Sequence, residues 1–254
     1  MTSTPTPALA GGTPATDSAS ASVTSAAITQ LPAPSPSAPT VPLSVSITEI
    51  MFVPQPPYGD SELESWNEYV EIQNYGDDPI DVAGWFISDG GVLGNPDELI
   101  AWDERLPGIP VGDATTDSTI IPPGGFALIL PRAYEEGKRP YDHQVTPNTI
   151  ILTNSDDPDT DSELLGKDGL SATGNLIDVL VLYLGSRDEI EEVVSTYGTP
   201  VWDEDASPSS IRDNQLDRIP FPITWGGYRR LAAGGTDSSS NWRRFTWDQK
   251  TPGY

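Results

Sequence analysis

Four acidic residues stand at spacings that chemistry uses. In Asn154-Ser155-Asp156-Asp157-Pro158-Asp159-Thr160-Asp161-Ser162-Glu163 the carboxylates of Asp157, Asp159 and Asp161 recur at every second position, and Asp168-Gly169 follows. Oxygen ligands at first, third and fifth positions converge on one hard cation in a Ca²⁺ loop, and Asp168 takes the twelfth position. Ser162 stands sixth, where the sharp turn of an EF-hand wants glycine, and the twelfth residue is Asp instead of Glu. Two readings follow: a Ca²⁺ site built on Asp157, Asp159, Asp161 and Asp168, or a solvated acidic loop between strands.

Other chemistries are narrowed by what the chain contains. There is no cysteine, so disulfides, thiolate nucleophiles and Cys-type zinc sites are excluded. His143 is the single histidine, next to Tyr141 and Asp142; it reads as a surface loop residue, and sites needing two histidines are excluded. Thirty-eight acids allow a glycosidase-like carboxylate pair, yet no spacing selects one. Gly90-Gly91, Gly124-Gly125, Gly226-Gly227 and Gly234-Gly235 read as turns, not as phosphate-binding loops. The expectation is a protein that is not an enzyme.

A second cluster interleaves aromatic and basic residues near the C-terminus. Trp225, Tyr228, Trp242, Phe245, Trp247 and Tyr254 alternate with Arg229, Arg230, Arg243 and Arg244. Arg229, Arg230, Trp242, Arg243 and Arg244 are candidates for a partner-binding surface, because guanidinium groups rarely sit buried unpaired. The alternative is that the arginines pair within the domain or stack on Trp242 and Trp247. Seven of the 13 basic residues fall in 211–254 against four acids, so this end is net positive in a chain of net charge −25. Such polarity permits head-to-tail stacking of acidic face on basic face, and argues against a nucleic-acid binder.

The first 42 residues contain 23 Ser, Thr or Pro and one charge, Asp17. That composition cannot offset its own ordering entropy, so 1–42 reads as an arm or stalk, and 43–254, with all seven Trp and nine Tyr, as one folded domain. The arm resembles the O-glycosylated stalks of cell-surface proteins, which points to an extracellular or cell-surface location. A halophile's cytoplasm would also suit the acid excess. No apolar run is long enough to span a bilayer, and the N-terminus shows no signal-like core. A neighbouring copy is expected to hold the arm, with Val41, Leu43 and Val45 extending into its sheet, which makes the chain a homo-oligomer. Other cell-surface proteins or glycans are further candidate partners.

Within 43–254 the signals are those of strands. Asn67–Asn74 alternates, sending Val70 and Ile72 to one face and Tyr69, Glu71 and Gln73 to the other, the pattern of a half-buried strand. Tyr75-Gly76-Asp77-Asp78-Pro79 is a turn into an apolar run, Ile80–Ile87, with Gly84 at a bulge or close approach. Leu43–Ile50 alternates until its phase shifts at Ile50; Leu99–Trp102, Phe126–Leu130, Thr149–Thr153 and Leu176–Leu184 are further strands. Tyr228–Leu231 and Trp242–Trp247 read as edge-like strands or turns, and Arg187–Val194, capped by Ser186, as a helix. The class is all-β and antiparallel, a sandwich in preference to a barrel.

The ordered series of motifs resembles a lamin tail domain of bacterial extracellular type. Its carriers are Val45-Ser46-Ile47-Thr48-Glu49-Ile50, Trp66–Asn74, Ile80–Asp89, Ile121-Pro122-Pro123-Gly124-Gly125-Phe126-Ala127-Leu128, Leu152-Thr153-Asn154, Ile177-Asp178, Trp247 and Thr251-Pro252-Gly253. The resemblance implies an immunoglobulin-like antiparallel β-sandwich with long loop insertions, Asp89 to Thr119 and Ser186 to Trp225, and an extended N-terminal arm. In lamins such domains are interaction modules beside a coiled-coil rod, and bacterial versions resemble adhesive or accessory domains. Neither a heptad rod nor a catalytic domain is present in this sequence, so the resemblance carries over fold more than function.

Overall fold

The computed structural model describes residues 43–56, 67–88, 96–102, 114–132, 134, 144–154, 170, 179–198, 225–235 and 237–254. The chain divides into two units, Met1–Val41 and Pro42–Tyr254, and everything below concerns the second. It is all-β. The strands are β1 (Val45–Val53), β2 (Tyr69–Asn74), β3 (Ile80–Asp81), β4 (Phe86–Ser88), β5 (Asp97–Ala101) and β6 (Ile120–Ile121). They continue with β7 (Phe126–Leu130), β8 (Ile150–Asn154), β9 (Leu180–Ser186), β10 (Glu189–Tyr197), β11 (Gly226–Arg230) and β12 (Trp242–Thr246).

Ten of these form one sheet in the order β10-β9-β4-β5-β8-β7-β2-β1-β11-β12, and β3 pairs with β6 beside it. The pairings are antiparallel except β7 with β8, which run parallel. The sheet curls until its two ends touch: Tyr197 of β10 packs edge-on against Trp242 of β12, ring centroids 4.7 Å apart, and against Phe52 of β1 at 5.4 Å. The Ile47 amide also donates to the Ser195 hydroxyl at 3.0 Å. Inside the curl lie Val45, Ile47, Ile50, Phe52, Val70, Ile72, Ile129 and Leu152, each contributing on the order of 2 kcal/mol by leaving water.

The phase shift of the first strand is a bulge. Register with β2 slips between Ile47 and Glu49, so Val45 and Ile47 before it and Ile50 and Phe52 after it all face the same core. Three expectations are corrected. The Asn67–Asn74 strand is buried on both faces: Val70 and Ile72 join the inner core, while Tyr69 joins a second cluster with Met51, Leu128, Leu130, Phe245 and Trp247. Residues following β12 fold back to cover that second face, which no local periodicity reveals.

The Ile80–Ile87 run is two strands, not one. It breaks at Gly84, whose φ of +72° suits a turn that residues with a Cβ rarely adopt. The expected helix at Arg187–Val194 is the hairpin β9–β10, with β10 inside what read as an insertion. Gly185 allows it: a Cβ there would meet the Glu189 carbonyl oxygen at 2.1 Å. The Val193-Val194 pair, Thr196 and Tyr197 favour a strand once β9 offers a partner, and this tertiary pairing overrides the helix-like cap and acidic first turn.

Candidate functional site

Strand register lines up a row of charges across the outer face of the sheet. Glu71 of β2 stands opposite Glu49 of β1, Glu49 opposite Arg229 of β11, and Arg229 opposite Arg243 of β12. Directly opposed residues of an antiparallel pair share a face, so the row runs from two acids in the interior to two arginines at the rim. Arg229 lies one-third exposed and donates through Nε to Glu49 at 2.5 Å and through Nη2 to the Gln249 carbonyl at 2.6 Å. Its guanidinium also stands 5.2 Å from the Phe245 ring. Beyond it opens a cleft of about 340 Å³ lined by Arg229, Leu231, Arg243, Arg244, Phe245 and Gln249. Arg243 and Arg244 are exposed, and among the described residues neither has an acidic partner.

The two acids behind this cleft are sealed. Glu49 is 1% exposed and accepts hydrogen bonds from the Tyr69 hydroxyl, the Thr251 amide and the Thr251 hydroxyl besides Arg229. Glu71 accepts from the Thr48 hydroxyl and the Gly253 amide, both at 2.5 Å. Burial, then the neighbouring Glu49, push the Glu71 carboxyl up to about 8, against the pull of the Thr48, Gly253 and Arg229 contacts. Both of its oxygens accept bonds that favour the carboxylate, yet desolvation and like charge outweigh them. Burial and then Glu49 also raise the Tyr69 phenol far above its usual range. Bonds from Thr251 and Gly253 lay the last residues over this pair, and neither acid lines the cleft.

On the inner face the same two strands hold a second charged cluster. Arg230 donates to three carbonyls, Ile47 at 2.8 Å, Gly235 at 2.8 Å and Thr196 at 2.6 Å, and stacks over Trp242 at 4.6 Å. Asp237 lies 3.9 Å from Arg230 and accepts from Trp242 Nε1 and the Thr196 hydroxyl, both at 2.7 Å. Burial raises the Asp237 carboxyl; the bonds from Thr196 and Trp242 and the charge of Arg230 oppose it. This cluster ties β1, β10, β11 and β12 together where the curl closes.

The expected partner-binding residues therefore separate. Arg243 and Arg244 are exposed and Arg229 partly so, Leu43 is half-buried, and Arg230, Trp242 and Val45 are buried with partners inside the domain. Arg230 over Trp242 and Arg229 on Glu49 are intramolecular contacts of the kind weighed as the alternative. Val41, His143 and the acids Asp157, Asp159, Asp161 and Asp168 lie outside the described residues. Among the described residues no three His, Cys, Asp or Glu side chains gather as a metal site, and no helix is long and apolar enough to cross a membrane. Sequence reasoning missed Glu49, Glu71 and Asp237 as partners. The alternation around Val70 placed Glu71 opposite the core face, but nothing local showed that this face is covered as well.

With the geometry in place, comparison with known proteins adds no relative: no family model, no curated protein and no solved structure matches this chain.

Proposed function

We propose that this chain is a non-enzymatic structural or interaction subunit, an immunoglobulin-like sandwich akin to lamin tail domains, that self-associates outside the cell through its N-terminal arm and sandwich faces. The observation that carries this reading is the pair Arg243 and Arg244, exposed on an outermost strand without an acid beside them among the described residues, in a chain of net charge −25. A chain with so many acids that leaves two adjacent arginines at a sheet edge is suited to meet another acidic surface, and its own copies supply one. The sealing of Glu49 and Glu71 removes this pair as catalytic carboxylates, because buried carboxylates tied to backbone amides cannot reach a substrate. The Ser/Thr/Pro composition of 1–42 supports an exposed, glycosylated arm on an exported protein.

The test is the mass of the full chain and of a version beginning at Leu43, by size-exclusion chromatography with light scattering, each with calcium and with chelator. The full chain is expected to form multimers, and the shortened one to drop to lower mass. Monomers in every condition would overturn self-association. If those monomers gained thermal stability with calcium, the reading would become a calcium-dependent adhesion or carbohydrate-binding module.

A further inference from the structure

The two outermost strands of the ten-stranded sheet carry opposite charge. On β10, Glu189, Glu191 and Glu192 are exposed, with exposed Asp188 in the turn before them; on β12, Arg243 and Arg244 are exposed. Among the described residues each strand pairs with one neighbour, β9 or β11. The far end of β10, Ser195–Tyr197, is buried against the closing sheet, so the presentable stretch runs from Glu189 to Val194. Its six residues suit the five of β12.

We infer that these edges pair between copies of this chain, the basic edge β12 of one molecule adding to the acidic edge β10 of the next. This deepens the self-association reading and rests on it, naming the surfaces and the partner. An outermost strand leaves a row of amide and carbonyl groups without a ladder, and charged side chains ordinarily keep such edges apart. Here the signs decide which contacts are blocked. Setting β10 against β10 opposes glutamates to glutamates, and β12 against β12 opposes arginines to arginines; only β10 against β12 brings opposite charges across the new ladder. Half-buried Ile190, Val193 and Val194 of β10 supply apolar area between the acids. The contact joins two different surfaces, so it is head-to-tail and propagates into a ring or an open filament, not a closed two-fold dimer.

Charge exchange in the full chain tests this. R243E/R244E makes both edges acidic, and E191K/E192K makes both edges predominantly basic. Each variant alone is expected to fall from the wild-type mass toward monomer at low salt, about 50 mM, where screening is weak. A one-to-one mixture is expected to regain the wild-type mass, since each variant then offers the edge that the other needs. The neutral pairs R243Q/R244Q and E191Q/E192Q, each examined alone, guard against misfolding of the reversed forms and are expected to weaken assembly less than reversal does. Wild-type mass in the single variants, reversed and neutral alike, overturns edge pairing while leaving self-association intact. A mixture of folded variants that stays monomeric overturns it too, and a monomeric wild type overturns both readings together.

Discussion

Arg229 and Arg230 are neighbours on one strand and live in different solvents. Alternation sends Arg229 to the outer face, where one buried glutamate holds it at the mouth of a cleft, and Arg230 to the inner face, where three carbonyls, Asp237 and the Trp242 ring enclose it. Burial lowers the Arg230 pKa and the Asp237 charge opposes that fall. The pair teaches that on this strand a guanidinium's role follows from parity and not from residue type. The inner arginine fastens the closure of the sheet; the outer one begins a path of charge that leads to the surface.

The largest effect that bears on this contrast comes from Arg230→Met set beside Arg229→Met. Removing Arg230 leaves the buried carbonyls of Ile47 and Thr196 and the part-buried one of Gly235 without their donor and Asp237 without its ion-pair partner, and should cost about 3–5 kcal/mol in urea unfolding. Removing Arg229 should cost about 1–2 kcal/mol, because the cleft admits water and Glu49 keeps Tyr69 and Thr251. Equal losses would mean that the exposure of Arg229 is irrelevant to its worth and would dissolve the contrast.

Much of this arrangement was legible in sequence. Phe126–Leu130 emerges as β7 with the expected bounds, and the broken phase at Ile50 is the bulge before Glu49. What sequence could not show is contact between distant segments. Glu49 and Thr251 are 202 residues apart and Glu71 and Gly253 are 182, and only folding brings them together. The hairpin of β10 failed for a related reason: its cap and acids signal a helix locally, while its strand partner is supplied by β9. The charge of the two edges was visible as a basic end in an acidic chain, but β10 had first to be a strand.

An intermediate effect sharpens the electrostatic side of the comparison, through Glu71→Gln measured against pH. Glu71 titrates near 8 in the fold and near 4.5 when ordinary, so between those values the folded state holds a proton that the unfolded state has lost. Its contribution is full below about pH 4.5 and fades as pH rises through 8, which makes the wild type lose stability on the order of 1 kcal/mol per pH unit from this group. Glutamine stays neutral, so the difference between wild type and variant should change steadily from pH 5 to pH 8, the variant gaining. Parallel stability curves would mean that Glu71 is ionised alike in both states and that the contacts of Thr48, Gly253 and Arg229 fully offset burial and Glu49.

The smallest effect comes from the arginines at the rim. Arg243 and Arg244 belong to the same hairpin as Arg230, and by residue type alone their removal should look similar. They are exposed, and among the described residues they have no ion-pair partner, so R243Q/R244Q should change monomer stability by less than about 0.5 kcal/mol in urea at protein concentrations too low for assembly. Set against a loss of several kcal/mol at Arg230, a near-zero value means that these two charges are not retained for folding, as the edge-pairing proposal requires. A loss above about 1 kcal/mol would place them among the groups that hold the hairpin, and the argument from unpaired edge charge would fail at its first step.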